Sequence, residues 1–172
     1  MKQIGLHHVI PCVGGHCVDG RCKVDESTIV RVPSEAIGNA IALMETVINP
    51  CCKVYGHDIK VIKGYCCPRK MKTFGETDEQ YAQGEAVDIC APGLEGNVLR
   101  FENVIIAHHL LEVGGFDMMV LCDCPMFGIE PKYIKVTHKR KGENRGIVVK
   151  TVSGIDEYLK LRPLDWAQLM SD

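Results

Sequence analysis

Between Ala36 and Ile48, apolar side chains recur every third or fourth residue: Ala36, Ile37, Ala40, Ile41, Met44, Val47 and Ile48. A chain with that period forms a helix with one apolar stripe, and something else must cover the stripe. Pro33 and Ser34 mark the start, and Pro50 with the Tyr55-Gly56-His57-Asp58 turn closes the region. Short runs of period two follow. Ile59 to Tyr65 alternates like a half-buried strand, and Glu85 to Cys90 reads as a second, ended by Ala91-Pro92-Gly93. Residues 66–83 between them are polar with scattered Gly and Pro, and read as a loop. Asn97 is placed to cap a second helix carrying Val98, Phe101, Ile105, Leu110 and Val113, with Gly114-Gly115 as its stop. Asp117 to Asp123, Tyr133 to His138 and Ile147 to Val152 are predicted strands, Cys124 to Lys132 a loop, and Ser153 the cap of a short helix through Leu161. Helices before and between strands predict an α+β fold, a small antiparallel sheet with covering helices.

A length of 172 residues suits one domain, and a 46% hydrophobic composition is enough for a real core. The expected organisation is an irregular Cys/His-rich arm at 1–31, a folded domain at 32–152, and a helical tail at 153–172 docking through Trp166 and Leu169. A net charge of -2 gives no field toward nucleic acid or an anionic membrane. No apolar run approaches the roughly 18 residues of a membrane span. Met1 to Ile10 has one Lys and too short an apolar stretch for a signal peptide, so synthesis in the cytoplasm is expected.

Ten cysteines stand out, including the neighbours Cys51-Cys52 and Cys66-Cys67. No secretory signal accompanies them, adjacent cysteines rarely bridge, and no paired C-x-x-C spacing is present, so buried thiols acting as small hydrophobes are expected. Cys12, His16, Cys17 and Cys22 offer a loosely spaced metal set in the arm.

Several segments share an order that belongs to a known fold. The helix PSEAIGNAIALMETVINP is followed by IKVIKGYCCP, similar to I-x-V-x-S-G-Y-R-S-P, then by EQYAQGEAVDI, similar to S-x-H-x-x-G-x-A-x-D-I. A helix, the GFDMMVL strand, YIKVTHK and NRG follow. From Val32 to Ile147 the chain resembles the zinc D-Ala-D-Ala carboxypeptidases of the hedgehog/DD-peptidase fold, small peptidoglycan-cleaving enzymes frequent in bacteria and phages.

The resemblance implies zinc on a His, an Asp and a second His, with a carboxylate base and a cation for the oxyanion. Residue by residue, the first His falls on Tyr81, the Asp on Asp88, the second His on Lys135 and the Arg on Cys66. The catalytic Glu falls near Cys122, with Asp123 or Glu130 as candidates for its role. Asp88 is thus the one family-matching ligand. Strand period puts Tyr133, Lys135 and Thr137 on one face and Ile134 and Val136 on the other, toward the core. Lys135 then points into the pocket and is expected to pair with Asp88, while a phenol at Tyr81 is a poor zinc ligand. Catalysis is not expected, and the pocket is degenerate at Cys66, Tyr81, Asp88, Cys122 and Lys135.

The expected function is that of an inactive peptidase-fold protein, a structural or binding module such as a phage virion or tail component, acting through a protein partner or as a homo-oligomer. One alternative is a cell-wall hydrolase with zinc rebuilt on Cys66, Cys122 and Asp88, or with a reactive cysteine beside Lys135. Another is a module that holds peptidoglycan without cutting it. His108-His109 lies late in the second helix, where a cation suits the C-terminus. His7-His8 reads as a solvated pair, and His138-Lys139-Arg140-Lys141 as a solvated hairpin tip.

Overall fold

The stripe beginning at Ala36 builds helix α2 (Ser34–Leu43), in which Ala36, Ala40 and Leu43 are buried. The computed structural model describes residues 4–10, 17–18, 21–23, 29–68, 71–72, 75, 77–93, 100–126, 130–152 and 155–159. The helix does not stop at Pro50. It continues through a π-helical turn (Met44–Ile48) into α3 (Asn49–Tyr55), where Pro50 occupies the first turn. A proline there lacks an N–H that the helix does not need, so helical backbone passes straight through it. Gly56, in the left-handed conformation, ends α3 by donating its N–H to the Cys52 carbonyl.

The main sheet has six strands in the order β4-β5-β7-β6-β8-β9. They are β4 (Lys60–Lys63), β5 (Ala86–Cys90), β6 (Met118–Cys122), β7 (Tyr133–Thr137), β8 (Ile147–Val152) and β9 (Ile155–Leu159). Every neighbouring pair is antiparallel except β6 and β8, which run parallel. The fold is α+β, but the sheet is mixed rather than antiparallel. The cause is topological. β7 hairpins back onto one side of β6, and the chain then crosses to β6's other side before β8.

One face of the sheet packs against α2, the π turn, α3 and the long helix α5 (Arg100–Val113). Val87, Ile89, Met119, Leu121, Ile134 and Val136 are fully buried there, with Leu43, Val47, Ile48, Ile106 and Leu110 opposite. Each large aliphatic side chain so buried contributes about 2 kcal/mol. Gly114, left-handed, stops α5 by donating to the Leu110 carbonyl. The Asn97 cap lies outside the described residues.

Four expectations about chain organisation need correction. The first 31 residues are not simply irregular: they include helix α1 (Leu6–Val9) and a small antiparallel sheet of β1 (Cys17–Val18), β2 (Arg21–Lys23) and β3 (Ile29–Arg31). Nor is that segment separate from the domain. Ile4, Val9 and Ile10 are part of the core, and Tyr65 donates a 2.7 Å hydrogen bond to the Val9 carbonyl. Gly64 is the position that permits this approach, because a Cβ there would overlap the Val9 carbonyl.

The helix expected after Ser153 is instead strand β9, paired along β8 from Val148–Leu159 to Val152–Ile155. Two residues, Ser153 and Gly154, separate the strands in sequence, which is a hairpin spacing that outranks a helix cap when the preceding strand has an open edge. Trp166, Leu169 and the rest of the tail lie outside the described residues. The predicted loop at 66–83 also contains a short helix, α4 (Glu79–Ala82).

Candidate functional site

The second face of the sheet carries charge. Residues paired across adjacent strands point the same way, so the register defines a row running from Lys63 through Asp88, Lys135 and Val120 to Val149. The alternation expected for β7 is present: Ile134 and Val136 are in the core, while Lys135 and Tyr133 are half-buried on the other side. Asp88 is 5% exposed. Against it lies Tyr81 of α4, which packs with Cys66 and Met71.

Helix α4 is short because Asp78 starts it and Gly84 ends it. The Asp78 carboxylate accepts from the Gln80 N–H, a standard N-terminal cap. Gly84 is left-handed and sits where a Cβ would meet the Ala36 carbonyl, so α4 is drawn down onto α2. That placement turns Tyr81 inward. Its hydroxyl donates a 2.5 Å hydrogen bond to Oδ1 of Asp88. Burial, followed by the charge of Asp88, pushes the Tyr81 phenol far above its ordinary value of 10.0. Tyr81 is therefore a neutral donor at neutral pH.

The two flanking lysines complete the arrangement. Lys135 forms its salt bridge with Asp78 through Oδ2, so the cap of α4 is also its tether to β7. This corrects the expected pairing with Asp88: the two residues are register partners, but α4 brings a second carboxylate to the ammonium and a phenol to Asp88. The Lys63 ammonium lies 3.7 Å from the centre of the Tyr81 ring, and that of Lys135 lies 5.0 Å away. Two cations thus sit on the ring's π electrons.

Cys66 and Cys122 both border this group. Cys66 packs with Tyr81, Met71 and Ala86, and its N–H donates to the Tyr81 carbonyl at 3.2 Å. Cys122, on β6, donates its thiol to the Val120 carbonyl at 3.5 Å. Its thiol is pushed up to about 11, first by burial and then by the charge of Asp88, which outweigh the help from Tyr133 and Lys135. Neither cysteine has the electropositive, accessible setting of a reactive thiolate. Asp123, in a left-handed conformation, and Glu130 are both exposed on the connection after β6.

The residues do not fit zinc. Asp88 already accepts a short hydrogen bond, and around it lie a neutral phenol, an ammonium held by the second carboxylate Asp78, and a thiol pushed up by burial. Each would have to lose a proton in a buried setting before it could bind a metal. No protein-family model matches this sequence, and no curated protein matches it. The site therefore rests on its own geometry.

Sequence reasoning names Cys66, Tyr81, Asp88, Cys122 and Lys135, and the structure brings them to one face of the sheet. It misses Asp78 and Lys63. The Asp78-Glu79 pair ahead of Tyr81 carries a capping signal, whereas nothing in the run IKVIK distinguishes Lys63 from Lys60. All seven cysteines whose side chains are described, at 51, 52, 66, 67, 90, 122 and 124, are buried thiols. The Cys12, His16, Cys17 and Cys22 set and the His7 side chain lie outside the described side chains; His8 is exposed, and its Nδ1 accepts from Gly5.

The basic run is not a solvated tip throughout. His138 is buried and bonded to the Gly115 carbonyl at 2.7 Å, and Lys139 pairs with the buried Asp117 at 3.4 Å. Arg140 and Lys141 are exposed. Among the described residues, no helix is long and apolar enough to cross a membrane.

Proposed function

We propose that this chain is a catalytically inactive member of the D-Ala-D-Ala carboxypeptidase-like fold, serving as a structural or binding module within a larger assembly, such as a phage particle. The observation that carries this reading is the Tyr81–Asp88 bond with Lys135 alongside. Of the three positions that the resemblance assigns to zinc ligands, Tyr81 donates to Asp88, and Lys135, the register partner of Asp88 on β7, is engaged by Asp78, so each has a protein partner in place of a metal. Fold outlasts chemistry in this way because packing depends on the core face of the sheet, not on the charged one.

The testing experiment restores the ligands. In the Tyr81→His/Lys135→His double variant, Asp88 gains two imidazoles. The reading predicts one additional zinc equivalent per chain, lost again on adding Asp88→Ala. In the otherwise natural chain, Asp88→Ala leaves metal content unchanged. If the double variant folds and gains no Asp88-dependent zinc, the assignment of these positions is wrong.

A second reading is favoured by a cleft of about 520 Å3 beside α4, lined by Pro68, Met71, Lys72, Thr77, Glu79, Ala82 and Gln83. Met71 and Ala82 belong to the packing around Tyr81, so this cleft adjoins the degenerate pocket. A module that holds peptidoglycan without cutting it would use this surface. Retention on purified cell-wall sacculi, weakened by Lys72→Glu, supports it; retention equal to that of a non-binding control of matched charge removes it.

A further inference from the structure

The far end of α5 lies on the helical side of the core, away from the charged row. Three side chains from its last two turns converge there. Among the described residues, His108, His109 and Glu112 form the group of potential donors whose ligand atoms all lie within 4.8 Å of one another. The spacing explains the convergence. Glu112 is four residues after His108 and three after His109, so it is a surface neighbour of both. Nδ1 of His109 lies 2.8 Å from Glu112 Oε2, and Nδ1 of His108 lies 3.8 Å from the same oxygen.

Those distances bracket what a small cation requires. Two donors at zinc's usual bond lengths, at a tetrahedral angle, stand about 3.4 Å apart. Sub-ångström side-chain adjustments would bring all three onto one ion. The imidazoles are also partly fixed beforehand. Each has a side chain 22% exposed, their ring centres are 5.7 Å apart, and the Tyr55 ring lies 6.3 Å from that of His109. Tyr55 is itself held by a 2.8 Å hydrogen bond to Glu102. The helix C-terminus adds a partial negative charge.

We propose that His108, His109 and Glu112 bind a divalent transition metal of the zinc type. Two imidazoles and one carboxylate select zinc, cobalt or nickel over magnesium or calcium, which take oxygen ligands. Three protein donors leave one coordination position for water. This site is independent of the degenerate pocket, and neither proposal depends on the other.

The test is zinc titration of untagged, metal-stripped protein by calorimetry, with cobalt absorption as a second readout. The expected result is one equivalent bound by the natural chain and affinity reduced by about tenfold or more in His108→Ala, in His109→Ala and in the shape-preserving Glu112→Gln. Asp88→Asn keeps full affinity. Bound cobalt shows ligand-field bands without the intense thiolate charge-transfer absorption of cysteine ligation. Zinc should also raise the melting temperature of the natural chain and not that of the histidine variants. Absence of binding, equal affinity in all three variants, or a cobalt–thiolate signature overturns the proposal. The last two results would move the ion to the cysteine-containing segments.

Discussion

Tyr81 and Asp88 lie seven residues apart, one on a four-residue helix and the other on a central strand, and they share a 2.5 Å hydrogen bond in which the phenol donates. Each is 5% exposed or less. The bond joins α4 to the sheet, and the Asp78–Lys135 salt bridge joins them a second time. Together they close the charged face of the sheet over a carboxylate.

Removing the phenol oxygen should therefore cost stability at a site with no surface role. Tyr81→Phe keeps the ring and its two lysine contacts but deletes a charge-assisted hydrogen bond, for an expected loss of about 2 kcal/mol. Urea unfolding would show a lower midpoint with an unchanged slope. A loss no larger than that of an exposed control substitution would mean the bond contributes nothing.

At the acid end, stability should depend on Asp117. Its side chain is fully buried, and the Arg145 guanidinium grips it through two hydrogen bonds of 2.8 and 2.6 Å. The Arg145 hydrogen bond is the main reason the carboxyl titrates at about 2 instead of 3.8. A depressed folded-state value means the stabilisation is complete above about pH 4 and disappears as pH falls toward 2; by linkage it amounts to about 2 kcal/mol. Arg145→Ala should lower stability at pH 7 by most of that amount and flatten the acid limb. Thermal melts at pH 2 to 7 would detect either change.

At the alkaline end the sign reverses. Burial raises Cys51 from 9.0 to about 12, and Cys52 and Cys122 to about 11. A thiol harder to ionise when folded costs nothing below about pH 9 and destabilises as the unfolded chain begins to lose protons above it. Stability should fall between about pH 9 and 11. Brief alkylation at pH 8 with peptide mapping should leave Cys51, Cys52, Cys66, Cys67, Cys90, Cys122 and Cys124 unmodified until denaturant is added. Rapid native labelling of Cys66 or Cys122 would bring back a cysteine nucleophile.

Gly64 supplies a test of how the N-terminal segment is attached. Gly64→Ala forces a Cβ into the Val9 carbonyl and disturbs the Tyr65–Val9 hydrogen bond, at an expected cost of about 3 kcal/mol. Protease digestion should then cleave within the first ten residues faster than in the natural chain. Unchanged stability and cleavage would show that the segment contributes little.

The core-facing side of this protein was determined by local pattern. The 3–4 stripe of α2, the Gly114 stop of α5 and the alternation of Ile134, Lys135 and Val136 are each readable within a dozen residues, because helix and strand periods are properties of the chain itself. Pro50 and Ser153 misled because their local preferences were outweighed, one by a position in a first helical turn that tolerates proline, the other by an open strand edge that accepted β9. The site divides along the same line. Sequence alone named Tyr81, Asp88 and Lys135, and the spacing of Glu112 from the two histidines on α5 is local as well, but pairing Lys135 with Asp78 and Asp88 with Tyr81 required α4 to fold across the sheet. Those were decided only by the tertiary structure, since which carboxylate meets which cation depends on distances between segments that the order of residues does not specify.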